Sequence, residues 1–341
     1  MKNISLAFLL IGIFINACTD SAPTQVRKNC SKISLLCEEV GHFAVIGKTD
    51  EAVRYLDIME RAARDYKIHF GAEPVPTAIV MSSKLTPAVK AELEVAGFEK
   101  ILPWLDAEAK RKMREQAITE QLADQIKHLP EAAQQQAMAS LKTQLGAAPP
   151  ALSPDKENGV LAHELGHLWF IAQFPAPSGT TKKNHAYGGW APDWLDETAA
   201  VLMENAVLRD QRREQLKELR ETQIIELETF LTMEHPLAQA AKNLVKNQSP
   251  TGGGDQVVFL SGEDADKFLE ESGQGDAGNF YLQVSGFVDF MIKQTRDEAI
   301  FAKIASHLSE AENFASWAKA SSHFENLSEL ESKWQAWVNR Q

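Results

Sequence analysis

Apolar residues recur at helical spacing between Thr49 and Phe70, where Val53, Leu56, Met59, Ala63 and Tyr66 repeat and Gly71 follows as a stop. The short apolar run from His42 to Ile46 predicts a strand before that helix. Thr77 to Met81 predicts a second strand after it, with Pro74 and Pro76 as punctuation. Between Asp106 and Leu145 the pattern turns to Ala, Gln, Lys and Glu, predicting two helices broken at Pro130 that form a helical insertion or lid. Ser153-Pro154 sets a capping hydroxyl ahead of a proline at the first helical position, opening a helix that should run to about Phe174. A polar loop with Gly and Pro occupies 176–192, and Asp193 then reads as the cap of one long helix, strongly charged after Arg209. Thr251-Gly252-Gly253-Gly254 reads as a flexible loop that lacks the Lys-Ser/Thr of a phosphate loop. From about Gly278 the chain is expected to be helical, with Trp317, Trp334 and Trp337 as core anchors, and no internal repeat is seen. The pattern is α+β: an N-terminal α+β subdomain over 41–150 carrying the helical insertion, then a mainly helical subdomain over 151–341.

Composition narrows the partners. Of 341 residues 44% are hydrophobic, enough for a packed core, while 35 Lys and Arg against 47 Asp and Glu give a net charge of -12. An acidic chain without a basic stripe argues against a nucleic-acid partner. No run of 18 apolar residues occurs, so no spanning helix is expected.

Lys2 precedes an apolar stretch from Ile4 to Ile15, too short to span a bilayer but suited to the h-region of an export signal. It ends in Ile15-Asn16-Ala17-Cys18, which resembles a bacterial lipoprotein lipobox, with Asn16 standing where a small or aliphatic residue is usual. The resemblance implies that residues 1–17 are a signal peptide and that Cys18 is lipidated as the new N-terminus. Thr19, not Asp, follows the cysteine, which by the usual sorting pattern implies an outer-membrane lipoprotein facing the periplasm, touching the membrane through its lipid anchor only. The alternative is a secreted or soluble periplasmic protein. Residues 18–40 are then a tether or linker.

Cys30 and Cys37 remain, an even number for an oxidising space. On a straight helix their α-carbons would stand about 10 Å apart, beyond bridging distance. A disulfide needs a turn between them, which Ser31-Lys32-Ile33-Ser34 permits.

The strongest chemical signal is His163-Glu164-Leu165-Gly166-His167. Histidines four apart on a helix lie one above the other and can reach one ion, and Glu164 sits beside them to accept a proton from that ion's water. A hydrolytic zinc site needs a third protein ligand. Gln173 occupies the place of a histidine six residues after His167, and Phe170 that of a required glycine, so the metzincin pattern is excluded. Downstream, Trp194-Leu195-Asp196-Glu197-Thr198-Ala199-Ala200 is similar to the second signature of the gluzincin zinc metallopeptidases, whose glutamate supplies the third ligand. The resemblance puts Glu197 in that role, with Glu204 and Asp196 as alternatives; Asp196 could instead orient a histidine.

Twenty-nine residues separate His167 from Glu197, more than gluzincin aminopeptidases use, in a loop that contains Lys182, Lys183, His185 and Tyr187. A longer loop adds little closure cost. Tyr281-Leu282-Gln283-Val284-Ser285-Gly286-Phe287-Val288 resembles the helix whose leading tyrosine stabilises the tetrahedral intermediate, with Val284 where a glycine is usual. The Gly-x-Met-Glu-Asn segment that binds a free N-terminus in aminopeptidases has no counterpart upstream of the histidines.

Together these strings resemble the peptidase-MA-like branch of the gluzincins. That implies a zincin-like α+β fold, with a small sheet beside the active-site helix and a helical C-terminal part closing the cleft. It implies a Zn2+ metallopeptidase acting on peptide or protein substrates, with His163, His167 and Glu197 on the metal, Glu164 as general base and Tyr281 as oxyanion donor. The alternative is a non-catalytic lipoprotein of the same fold, acting in binding or envelope assembly.

Overall fold

The computed structural model describes residues 30–83, 85–146, 153–175, 189–219, 224–236, 274–310 and 313–341. The expected signal segment with Cys18, the loop residues Lys182, Lys183, His185 and Tyr187, and the Gly252–Gly254 loop lie outside them. The fold is α+β and mostly helical, with one four-stranded mixed sheet.

The sheet runs in the order β1 (Cys37–Val40), β2 (Phe43–Ile46), β3 (Thr77–Met81), β4 (Lys100–Trp104). β1 and β2 are antiparallel, and β2, β3 and β4 are parallel. Parallel neighbours need crossovers, supplied by α1 (Ala52–Phe70) and α2 (Pro87–Ala96). Side chains alternate across the pleat. Phe43, Val45 and Ile79 join the main core, and Ala44, Ile46, Ala78 and Val80 form a second cluster with Leu93 and Ala96 of α2. Burial on both faces explains why these strands are apolar throughout and do not alternate.

α1 ends where Gly71 takes a left-handed conformation, φ 72°, and donates its N–H to the Lys67 carbonyl. Beyond β4 come α3 (Ala107–Ile126), capped by the Asp106 carboxylate on the Ala109 N–H at 2.6 Å, and α4 (Glu131–Gly146), with the break at Pro130. Next are α5 (Pro154–Gln173), α6 (Asp193–Met203), α7 (Ala206–Glu218) and α8 (Leu227–Thr232). The C-terminal part is α9 (Gln274–Thr295), α10 (Ile300–Ser309), α11 (Phe314–Ala320) and α12 (Leu327–Val338). Trp317, Trp334 and Trp337 are all buried in it.

Three expectations change, and the question of the Cys30–Cys37 bridge, which the sequence leaves open, is answered. Residues 30–40 are not all tether: Cys30–Lys32 form a 3-10 turn, and Cys37–Val40 become the edge strand β1. A disulfide joins Cys30 to Cys37, with α-carbons 5.5 Å apart. The helix after Asp193 is two helices, with Asp193 inside the first and Asn205 capping the second through its side chain on the Leu208 N–H at 3.2 Å. α2 and β4 extend the sheet beyond the two strands foreseen, β4 tolerating Pro103 because it is an edge strand. One continuous core joins Phe43, Tyr55 and Tyr66 to Trp169, Trp194 and Trp334, so residues on either side of position 150 pack into a common interior.

Candidate metal centre

α5 carries the two histidines. Ser153 caps it, its hydroxyl accepting from the Lys156 N–H at 3.4 Å, and Leu161, Leu165, Trp169 and Phe170 bury its core face. The Trp169 indole N–H donates to the Thr77 hydroxyl at 2.9 Å, tying the helix to β3. Gly166, between the histidines, lies against α6: a Cβ there would stand 2.7 Å from both the Ala199 carbonyl oxygen and the Ala200 α-carbon. Backbone-to-backbone contact is what lets a carboxylate from α6 reach the imidazoles of α5.

Three side chains converge there. His163 Nε2 and His167 Nε2 are 3.3 Å apart. Glu197 brings Oε1 to 3.3 Å from His163 Nε2 and Oε2 to 3.6 Å from His167 Nε2. The outward nitrogens are held by two further carboxylates: His163 Nδ1 lies 2.9 Å from Glu204 Oε1, and His167 Nδ1 lies 2.7 Å from Asp196 Oδ1. An Nδ1–H donating to a carboxylate leaves Nε2 with its lone pair and raises its basicity, the arrangement of an imidazole prepared to ligate. Neighbouring donors on a tetrahedron with bonds of about 2.0–2.1 Å stand about 3.3–3.4 Å apart, so the spacing of these donors fits an ion of that size. Among the described residues, His163, His167 and Glu197 form the one group of this kind able to hold a metal ion.

Asp196 and Glu204, the alternatives for third ligand, thus sit on the far side of the imidazoles. Glu204 is fully buried and shares its oxygens with Arg212, whose Nε donates to Oε2 at 2.9 Å and whose Nη2 donates to Oε1. Burial acts to raise the Glu204 carboxyl, but the bonds from His163 and Arg212 prevail and hold it below its ordinary value. Burial lowers His163, yet Glu197 and then Glu204 outweigh it, leaving the imidazole above its ordinary value. Asp196 is raised by burial, against the pull of His167.

Glu164 and Tyr281 meet at the same cleft. With His163, Glu204, Arg212 and Leu208 they line a cavity of about 190 Å³. The Arg212 guanidinium lies 5.3 Å from the centre of the Tyr281 ring. Lys110 of α3 lies 3.6 Å above the Trp104 ring; burial lowers its ammonium while Glu157 and Glu164 resist, so the insertion brings a cation toward the general-base candidate.

Sequence reasoning did not find Glu204 as a histidine partner, nor Arg212 or His235. The signal for the first two was Asn205, a capping residue that breaks the helix and turns the chain back toward α5. His235 is buried, its backbone N–H donates to Asp193 Oδ2 at 2.6 Å, and its ring centre stands 5.1 Å from that of Tyr281. A lone histidine after a short helix carries no pattern that would single it out.

Comparisons with protein-family models, with curated proteins and with solved structures found no match to this chain.

Proposed function

We propose that this protein is a zinc-dependent metallopeptidase, zincin-like in fold and of gluzincin type, anchored to the bacterial envelope through Cys18. The observation that carries the reading is the convergence of His163 Nε2, His167 Nε2 and a Glu197 carboxylate while both Nδ1 atoms are held by buried carboxylates. A structural zinc site is closed by four protein ligands, whereas three leave a position for water and substrate.

When bound by His163, His167 and Glu197, zinc supplies Lewis acidity and makes water a nucleophile near neutral pH. Glu164, lining the adjoining cavity, takes the proton of the attacking water on its carboxylate and hands it to the departing amine. Tyr281 faces the same cavity and donates its hydroxyl hydrogen bond to the carbonyl oxygen as negative charge develops there. Glu204 and Asp196 hold the two imidazoles in one tautomer, and Arg212 keeps Glu204 ionised.

The test is digestion of a mixed peptide library by the purified chain, read by mass spectrometry, with and without a chelator. Cleavage that stops on chelation and returns with zinc supports the proposal. A library left intact by zinc-loaded protein, or cut equally well after chelation, contradicts it.

A further inference from the structure

One turn beyond Glu197, Val201 and Leu202 border a second cavity, of about 290 Å³, which shares no lining residue with the cleft beside Glu164. Arg209 and Arg213 of α7 and Lys293 of α9 line it. Arg213 is satisfied: its Nε and Nη2 donate to the two oxygens of Asp289 at 2.6 and 3.0 Å, and its Nη1 donates to Asp210 at 2.8 Å. Arg209 is not: its side chain has no hydrogen bond or ion pair among the described residues, and its Nε is buried without an acceptor. Lys293 is exposed and carries no ion pair among the described residues.

The excess of positive charge continues behind the wall. Arg61 of α1 donates from Nη1 to the Met203 carbonyl at 3.2 Å and to Asp65 at 3.3 Å, while its Nη2 is buried without a partner. Burial lowers the Arg61 guanidinium, and the nearby cations Arg209 and Arg64 lower it further, only partly offset by Asp65. Buried N–H donors without acceptors and clustered like charges both cost free energy. In a chain with 47 acidic residues, the Arg209 Nε on the wall and the Arg61 Nη2 behind it remain buried without an acceptor, which an anion in the cavity would relieve for Arg209.

Charge and shape narrow its class. Arg209, Arg213 and Lys293 face Asp289 and Glu298 around the cavity, a surplus of one positive charge, which matches a monoanion better than a phosphate dianion. The rest of the wall joins the aliphatic side chains of Val201, Leu202, Val288 and Ile292 with His69 and Ser285, and the volume sits at the lower end of small-molecule sites. We propose that this cavity binds a small carboxylate carrying an aliphatic group, with Arg209 and Lys293 on the carboxylate and the α6 and α9 side chains around the hydrocarbon.

The site is independent of the zinc reading and can be tested without activity. Isothermal titration of the full chain with 4-methylpentanoate should give saturable one-site binding, and the uncharged 4-methylpentan-1-ol should bind at least about tenfold more weakly. Arg209→Gln and Lys293→Gln should each weaken the carboxylate at least about tenfold, and Arg209→Lys should restore part of the loss. Lys217→Gln, outside the cavity, should leave it unchanged. Circular dichroism and melting temperature report whether each variant is folded. No saturation up to about 10 mM would overturn the proposal, as would equal affinity in the folded Arg209 and Lys293 variants. Equal binding of the alcohol, or tighter binding of inorganic phosphate, would overturn the carboxylate assignment.

Discussion

Glu204 Oε1 lies 2.9 Å from His163 Nδ1 and the same carboxylate takes two bonds from Arg212, so a fully buried glutamate links α7 to the histidine on α5. In the proposed zinc site its effect on metal binding is indirect, through the orientation and basicity of the imidazole. Glu204→Gln keeps the shape but removes the charge. It should weaken zinc binding about 10–100-fold in a competition titration against a chromogenic chelator. Unchanged affinity in a folded variant would mean that the Glu204 contact does nothing for the metal.

The proposed mechanism gives Glu164 and Tyr281 different tasks. In the proposed mechanism Glu164 moves a proton and holds no metal, so Glu164→Gln should lower kcat by at least about 100-fold with zinc content unchanged. Tyr281→Phe should lower kcat by about 10–100-fold with little change in KM, as expected for a bond made chiefly in the transition state. A Tyr281→Phe enzyme at full rate would assign that ring to packing under Arg212 alone.

The α5–α6 contact makes a stability prediction. Gly166→Ala puts a methyl group 2.7 Å from backbone atoms of Ala199 and Ala200, which cannot turn aside as a side-chain tip can. It should cost about 1–3 kcal/mol in urea unfolding and weaken metal binding as Glu197 is pushed from the histidines. Gly278→Ala is the control: on α9, with nothing within 4 Å of the added carbon, it should be neutral or stabilising by about 0.5–1 kcal/mol.

Much of this was legible in the chain because local chemistry dictated it. Ser153-Pro154 fixed the start of α5, Gly71 the end of α1, and the apolar runs of β2 and β3 their burial on both faces. Histidines four apart determined a shared helix face before any tertiary contact was known. What escaped were features set by tertiary packing. β4 contains Lys100 and Pro103 and is a strand only because β3 offers it an edge. The break at Glu204-Asn205 was hidden because apolar residues continue through Val207 and Leu208, so the pattern ran on where the chain turned. Arg212, an arginine in a charged helix, gave no sign that it would be drawn inward by a buried carboxylate.

The bridge between Cys30 and Cys37 closes a short loop beside the edge strand β1. By the chain-entropy relation such a loop stabilises by about 2–3 kcal/mol, so replacing both cysteines by Ala should lower stability by that order. Alkylation of the unreduced, denatured protein followed by mass spectrometry should show neither thiol modified. Modification of both would contradict the bridge.

Metal content of the full chain, measured by inductively coupled plasma mass spectrometry for wild type beside Glu197→Ala after zinc loading and dialysis, bears most directly on the proposed site. The wild type should hold about one zinc per chain and the variant less than about a tenth of that, both folded. Equal zinc in the two proteins would take Glu197 out of the ligand set, and no zinc in the wild type would contradict the metal centre itself.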